Sequence, residues 1–345
     1  MAYTTIDKPT DYFNTKLYTG NGSTQSITGV GFQPDWLWIK ERSSTSAHTT
    51  HDVVRGATKY LVPNTSEPEG TGYVSSFDSD GFSVTQNNLS NENSQTYVSW
   101  NWLAGGTASS NTDGSITSSI SANTTAGFSI VSYTGTGANA TVGHGIGSAP
   151  KIIFIKNRNL TSPNDQSWSV YSKEIGAGNF LKLDSTDASA SNSTRFNSTD
   201  PTSSVFSLGT HGSGNGSGDT YIAYCFAEKK GFSRFGSYVG NGSSDGSYIH
   251  LGFKPAWVMV KKTNSSGDEW NMFDNKRDVD NVIEKRLVAN INGADAPSTY
   301  LDFLSNGFKW RTSNNLGNGS GNTYIYMAFA ENPFVTSTGI PTTAR

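Results

Sequence analysis

The chain has 345 residues, a net charge of −3, 15% charged residues, 37 glycines and 12% aromatics. A charged fraction well under the ~25% of an ordinary soluble domain leaves solubility to hydroxyl and amide groups. With no basic run and no basic face interleaved with aromatics, nucleic acid is excluded as a partner. No apolar stretch approaches the ~18 residues of a membrane span, so no membrane insertion is expected. A single cysteine, Cys225, rules out an internal disulfide. The beginning, Met1 to Lys8, lacks the regions of a secretory leader, and the expectation is a protein made and folded in a cytosol.

In chain order, the first element is an extended N-terminal arm, residues 1–14, leading into Tyr18-Thr-Gly-Asn-Gly-Ser and then Gly31-Phe-Gln-Pro-Asp-Trp-Leu-Trp-Ile-Lys40. Both phrases return twice. Tyr133-Thr-Gly-Thr-Gly precedes Gly147-Ser-Ala-Pro-Lys-Ile-Ile-Phe-Ile-Lys156, and Tyr238-Val-Gly-Asn-Gly-Ser precedes Gly252-Phe-Lys-Pro-Ala-Trp-Val-Met-Val-Lys261. The endings also match: Thr96 to Trp102, Thr220 to Phe226 and Thr323 to Phe329. Between Gly214–Glu228 and Gly317–Glu331, eleven of fifteen positions are identical. A repeat of this length makes three equivalent copies, each large enough for its own core.

Within each copy the pattern reads as strands. The runs Leu37-Trp-Ile, Ile152-Ile-Phe-Ile and Trp257-Val-Met-Val suit a strand buried on both faces, ended by a solvated Lys. In the closing segments Val98, Trp100 and Trp102, with Ile222, Tyr224 and Phe226, and Ile325, Met327 and Phe329, share one face, and small residues line the other. Asn-Gly and Asp-Gly pairs divide the strands, since both tolerate the positive φ of tight turns. Asp280 to Val288 has some helical character but is read as strand or loop.

The expected fold is all-β: three tandem antiparallel β-sandwich modules of jelly-roll or concanavalin-like type. The boundaries are a first module at 15–106, a Gly/Ser/Thr-rich linker or lightly paired arm at 107–126, a second module at 127–230, a third at 231–334 and a tail at 335–345. The spacer makes module one the more independently placed, whereas modules two and three should abut.

Chemistry is sparse. No catalytic residues, metal site or cofactor are expected, and the chain reads as non-enzymatic. Asp78 and Asp80 belong to a turn whose counterparts are Leu304 and Asn306, and the repeated Gly-Asn-Gly-Ser-Gly is a turn and not a nucleophile elbow. The ligand-binding candidates are His48, His51 and Asp52, in a stretch with Arg55 that has no evident copy elsewhere, and Trp310. The two histidines align with Trp168 and Tyr171 and with Trp270 and Phe273, so replacement of aromatic core residues is the commoner explanation for them. Trp310 is the candidate for an exposed sugar-stacking ring, although its counterpart near Val84 would turn it inward.

Several phrases resemble a family of repeat-containing virion proteins from tailed phages of marine bacteria: Met1 to Asp7, Asn111-Thr-Asp-Gly-Ser-Ile-Thr117, Val142-Gly-His-Gly145, Gly231-Phe-Ser-Arg-Phe-Gly-Ser-Tyr238 and Asp302-Phe-Leu-Ser-Asn-Gly-Phe308. The resemblance implies lectin-like sandwich modules in a tail-fibre-like component of the virion exterior, assembled in the host cytoplasm. Its implied partners are other virion proteins, further copies of itself as a trimer or in virion-symmetry numbers, and a host cell-surface polysaccharide. A head decoration or tail adaptor of purely architectural role is the alternative.

Overall fold

The structure, a computed structural model, describes residues 3–159, 166–336 and 338–340. Among the described residues the molecule is nearly all-β, with one short helix at Gly212–Asn215, and its sheets are antiparallel apart from one isolated bridge. Each copy is built on the same four strands. An opening strand (Phe13–Thr19, Phe128–Thr134, Ser233–Val239) pairs with the closing strand (Thr96–Trp102, Thr220–Phe226, Thr323–Pro333). The closing strand pairs with a central strand (Trp36–Glu41, Ile152–Asn157, Phe253–Lys262). The central strand pairs with a lateral strand (Thr49–Asp52, Ser169–Ser172, Asn271–Asp274).

The register explains why both tyrosines recur. Each opening Tyr lies opposite its closing Tyr, and the rings stack at 5.1, 5.2 and 5.2 Å with interplanar angles of 13°, 15° and 16°. Their hydroxyls are satisfied by the loop before the closing strand: Tyr133 donates to the Gly214 carbonyl, and Tyr221 accepts the Gly216 amide. That loop also carries a buried asparagine, Asn91, Asn215 or Asn318, whose side-chain oxygen accepts the amide of residue 21, 136 or 241. The Gly-Asn-Gly-Ser-Gly phrase is thus a hydrogen-bond hub joining two turns.

Alternation divides each four-stranded sheet between two cores. On the outer face Leu37 and Ile39, Ile153 and Ile155, and Val258 and Val260 pack into a local core within their own copy. Smaller strands cover that core, namely Gln25–Thr28, Gly81–Val84 and Val74–Asp78 in copy one, and Ala140–Gly143 with Val205–Leu208 in copy two. In copy three the sheet itself continues through Ile283–Val288, Ala296–Leu304 and Gly307–Trp310 to Tyr248–His250. The inner faces do something different. Trp36, Trp38, Trp100 and Trp102 meet Phe154, Tyr224 and Phe226 of copy two and Trp257, Met327 and Phe329 of copy three in one common core. Trp102 and Phe226 both touch Phe329, at 5.7 and 6.0 Å between ring centroids.

The common core alters several expectations drawn from the spacer. Copy one is not independently placed, because its aromatic face is buried by both other copies. Residues 107–126 do not separate domains: Ser109–Asn111 and Ser118–Asn123 form a hairpin that extends the copy-two sheet beyond its opening strand. The N-terminal arm is also in use, since Ile6 and Phe13 lie in the common core and the Tyr3 hydroxyl donates to the Gly252 carbonyl of copy three. Asp280–Val288 yields the strand Ile283–Val288. Residues 337 and 341–345 of the expected tail lie outside the described residues.

Candidate functional site

His48 opens onto a lateral strand whose four residues are all buried. Its Nδ1 accepts the indole N–H of Trp38 at 2.9 Å, which fixes the neutral tautomer with hydrogen on Nε2. Nε2 therefore donates to the carbonyl of Val288, in copy three, at 2.9 Å. Burial, aided by the charge of Lys40, holds this imidazole well below the usual histidine range. Its counterparts make the same bond around a circle. The indole of Trp168 in copy two donates to Val62 of copy one at 3.1 Å, and the indole of Trp270 in copy three donates to Lys182 of copy two at 2.8 Å. His48 supplies the ring N–H that Trp168 and Trp270 supply in the other copies, and the three bonds close a ring. A second circle of backbone bonds follows the same joints: Glu69 to Arg158, Ser189 to Thr263 and Asp295 to Arg42, each 2.9 Å from N to O.

Asp52 serves the joint between copies one and two. Its carboxylate accepts the backbone N–H of Arg55 at 2.9 Å, the Arg55 Nε at 2.5 Å and the hydroxyl of Tyr224, from copy two, at 2.7 Å. Arg55 reaches on to Glu69, which also takes the Nε of Arg158 from copy two at 2.8 Å. Burial alone would disfavour the Arg55 charge, yet the carboxylates of Asp52 and Glu69 more than offset it and the guanidinium stays protonated.

The Asp–Arg pair is not unique to copy one. In copy three Asp274 accepts from the backbone N–H and Nε of Arg277 at 2.9 and 2.6 Å, and the indole of Trp100, from copy one, donates to it at 3.1 Å. Arg277 and Arg42 then share Asp295 at 2.8 and 2.9 Å. The signal was present in the sequence as Asp-x-x-Arg at both places, its Asp four residues after His48 and after Trp270. It was masked because the rings around it differ. The third joint, between copies two and three, has Ser172, Ile175 and Met327 at the places of Asp, Arg and the aromatic donor, and Ile175 packs on the common core.

The remaining candidates are also structural. His51 points to the other face, where its Nδ1 lies 2.7 Å from the Ala57 carbonyl and burial lowers its pKa to about 3. Trp310 is fully buried in the copy-three local core, with its N–H donated to Tyr238 at 2.8 Å, so it offers no ring to a sugar. The Lys that ends each central strand is not solvated. Lys40, Lys156 and Lys261 are all buried, and each ammonium donates to backbone carbonyls, those of Ser66 and Gln166 in the case of Lys156. Burial lowers Lys40 and Lys261 to about 8. Among the described residues no three His, Cys, Asp or Glu side chains come together in a metal-holding group.

With these residues assigned to joints and cores, open clefts remain on the surface. One of about 500 Å³ lies at the turn end of copy one, lined by Asn21, Gln86, Asn87, Asn88, Glu92 and Asn93 with Gly22. Another, of about 360 Å³, lies on copy three between Lys254, Asp278, Asn281 and Glu331. A third runs over the serines and threonines of the copy-two hairpin.

The profile of a family described as a domain of unknown function, DUF7483, matches residues 8–333. The chain belongs to the DUF7483 family. One match spans all three copies, so the family's unit is the three-copy stretch and not the single repeat. No curated protein and no solved structure matches the chain.

Proposed function

We infer that this DUF7483 chain is a non-enzymatic structural protein of a tailed-phage virion, a tail-fibre-like or other exterior component that contacts host-surface glycan during attachment. Each copy is taken as a jelly-roll, concanavalin-like sandwich whose inner sheet has been given over to joining its neighbours. The observation that carries the reading is the use of the buried His, Asp, Arg and Lys constellations: they join copies or satisfy backbone. What remains for function is display, by loops rich in amides and hydroxyls on a rigid support. In this reading the protein assembles in the host cytoplasm beside other virion proteins and repeats as a trimer or in the number set by virion symmetry, so that weak contacts add.

The closed three-copy ring favours one second reading. A single chain with threefold pseudo-symmetry matches a threefold-symmetric neighbour, which suits a head decoration or tail adaptor of architectural role. Binding of the isolated protein to whole host cells and to a glycan array separates the two. Specific binding supports attachment, and tight incorporation into virions without any surface binding supports the adaptor. Release of reducing ends from host polysaccharide would overturn both.

A further inference from the structure

The three copies have the same turn end, and copy one carries Gln86, Asn88 and Asn93 where copy two has Thr210, Gly212 and Ser217 and copy three has Ser313, Asn315 and Ser320. The buried hub Asn91 is followed by Glu92-Asn93, where copy two has Gly216-Ser217 and copy three Gly319-Ser320. The preceding loop reads Gln86-Asn87-Asn88 in copy one. Through the bond from the hub amide to residue 87, 211 or 314, this loop aligns with Thr210-His211-Gly212 and Ser313-Asn314-Asn315.

These side chains divide sharply by hydrogen bonding. Asn91 and Asn87 are consumed by the fold: Asn91 joins Asn21 and Ser23, and Asn87 closes its own loop through Thr85, Leu89 and Ser90. Gln86, Asn88 and Asn93 make no side-chain hydrogen bond among the described residues, nor does the Glu92 carboxylate, and the Asn21 amide nitrogen is free as well. All of them line the cleft of about 500 Å³. In copy three the corresponding Asn315 is tied up by Asn322. The floor is held open by Gly22, whose φ of +67° suits glycine and whose added Cβ would come within 3.0 Å of Asn93.

We propose that this cleft is the glycan-contacting site and that its ligand is an uncharged, hydroxyl-rich oligosaccharide. The inference rests on the attachment reading and narrows it to one copy and one ligand class. Primary amides offer a donor and an acceptor on one planar group, matching vicinal hydroxyls that do both. The lining holds no Lys or Arg, and Glu92 would repel uronic or sulfated sugars. With no ring to stack on, single-site affinity falls in the millimolar range, which repetition on a virion raises.

The test uses the full chain, with ligand-detected NMR against maltohexaose, cellohexaose and an acidic galacturonan hexamer, and with host-cell binding measured in parallel. Expected is binding of a neutral hexamer over the acidic one. A Gln86→Ala/Asn88→Ala/Asn93→Ala variant should lose it at least tenfold with an unchanged thermal midpoint, because no intramolecular bond is removed. Undiminished binding by that variant, or preference for the acidic hexamer, would overturn the cleft while leaving attachment standing. Absence of hexamer binding with retained cell binding overturns the neutral-ligand assignment alone. Absence of both overturns the attachment reading too.

Discussion

The joint between copies one and two and the joint between copies two and three occupy equivalent places and are held by opposite means. The first buries Asp52, Arg55 and the Tyr224 hydroxyl in a charged network continued by Glu69 and Arg158, and stacks Trp36 on Tyr224 with ring centroids 4.6 Å apart. The second puts Ser172, Ile175 and Met327 in those positions. Both close the same ring, so the charges are not required for closure. A buried pair gains Coulomb attraction but gives up hydration of both ions, and the net is often no better than apolar packing. What the charged joints add is direction, since a carboxylate that must find both an arginine and a ring donor fits only one docking.

The largest effect should come from breaking one ion of a charged joint. Asp52→Ala leaves Arg55 buried without its main partner and should cost about 3–5 kcal/mol in chemical denaturation, whereas Ser172→Ala at the plain joint should change stability by less than about 0.5 kcal/mol. Equal effects would erase the distinction. Converting the charged joint to the plain one, Asp52→Ser/Arg55→Ile/Tyr224→Met, should leave the protein between unchanged and about 4 kcal/mol more stable. A loss as large as that of Asp52→Ala would mean that the network itself holds the ring.

A smaller change tests the ring of N–H bonds. His48→Phe keeps an aromatic but orphans the Trp38 indole and the Val288 carbonyl, and should cost about 1–3 kcal/mol. The same residue sets a pH response. His48 and His51 are neutral when folded and bind protons more readily when unfolded, so stability should fall as pH drops below about 6.5. His48→Phe should make thermal midpoints between pH 7 and pH 4 fall less steeply than in the parent. Lys40 and Lys261 give the mildest signal. Lowered to about 8 in the fold against an ordinary 10.5, they bind fewer protons folded than unfolded. Stability should therefore rise between pH 8 and pH 10, and Lys40→Met should reduce that rise.

Much of this architecture could be read from the sequence, because a threefold repeat reports which residues are structural. The paired tyrosines, the central runs and the alternating closing strands all lie where period and repetition place them. The arrangement of the copies could not be read so directly. The clue was the aromatic inner face itself: Trp100 and Tyr224 are too large for a solvated surface, but their partners in the other copies, Trp257 and Trp36, are more than a hundred residues away in sequence. The same distance hid the use of Asp52, whose donor is Tyr224. Trp310 followed its alignment with Val84 into a core. The lysines misled because a charge after an apolar run ordinarily marks solvent, whereas here the ammoniums cap carbonyls of inter-strand loops.

Tyr3 and Phe334, near opposite ends of the chain, both donate to the Gly252 carbonyl, at 2.7 and 3.3 Å. A ring of three joints in equivalent places, whose N-terminal arm and the residue after its last strand converge on one oxygen, has no structural beginning. Linking the ends and opening the chain at Gly105–Gly106 would move the break one step round the circle while leaving every joint between copies in place.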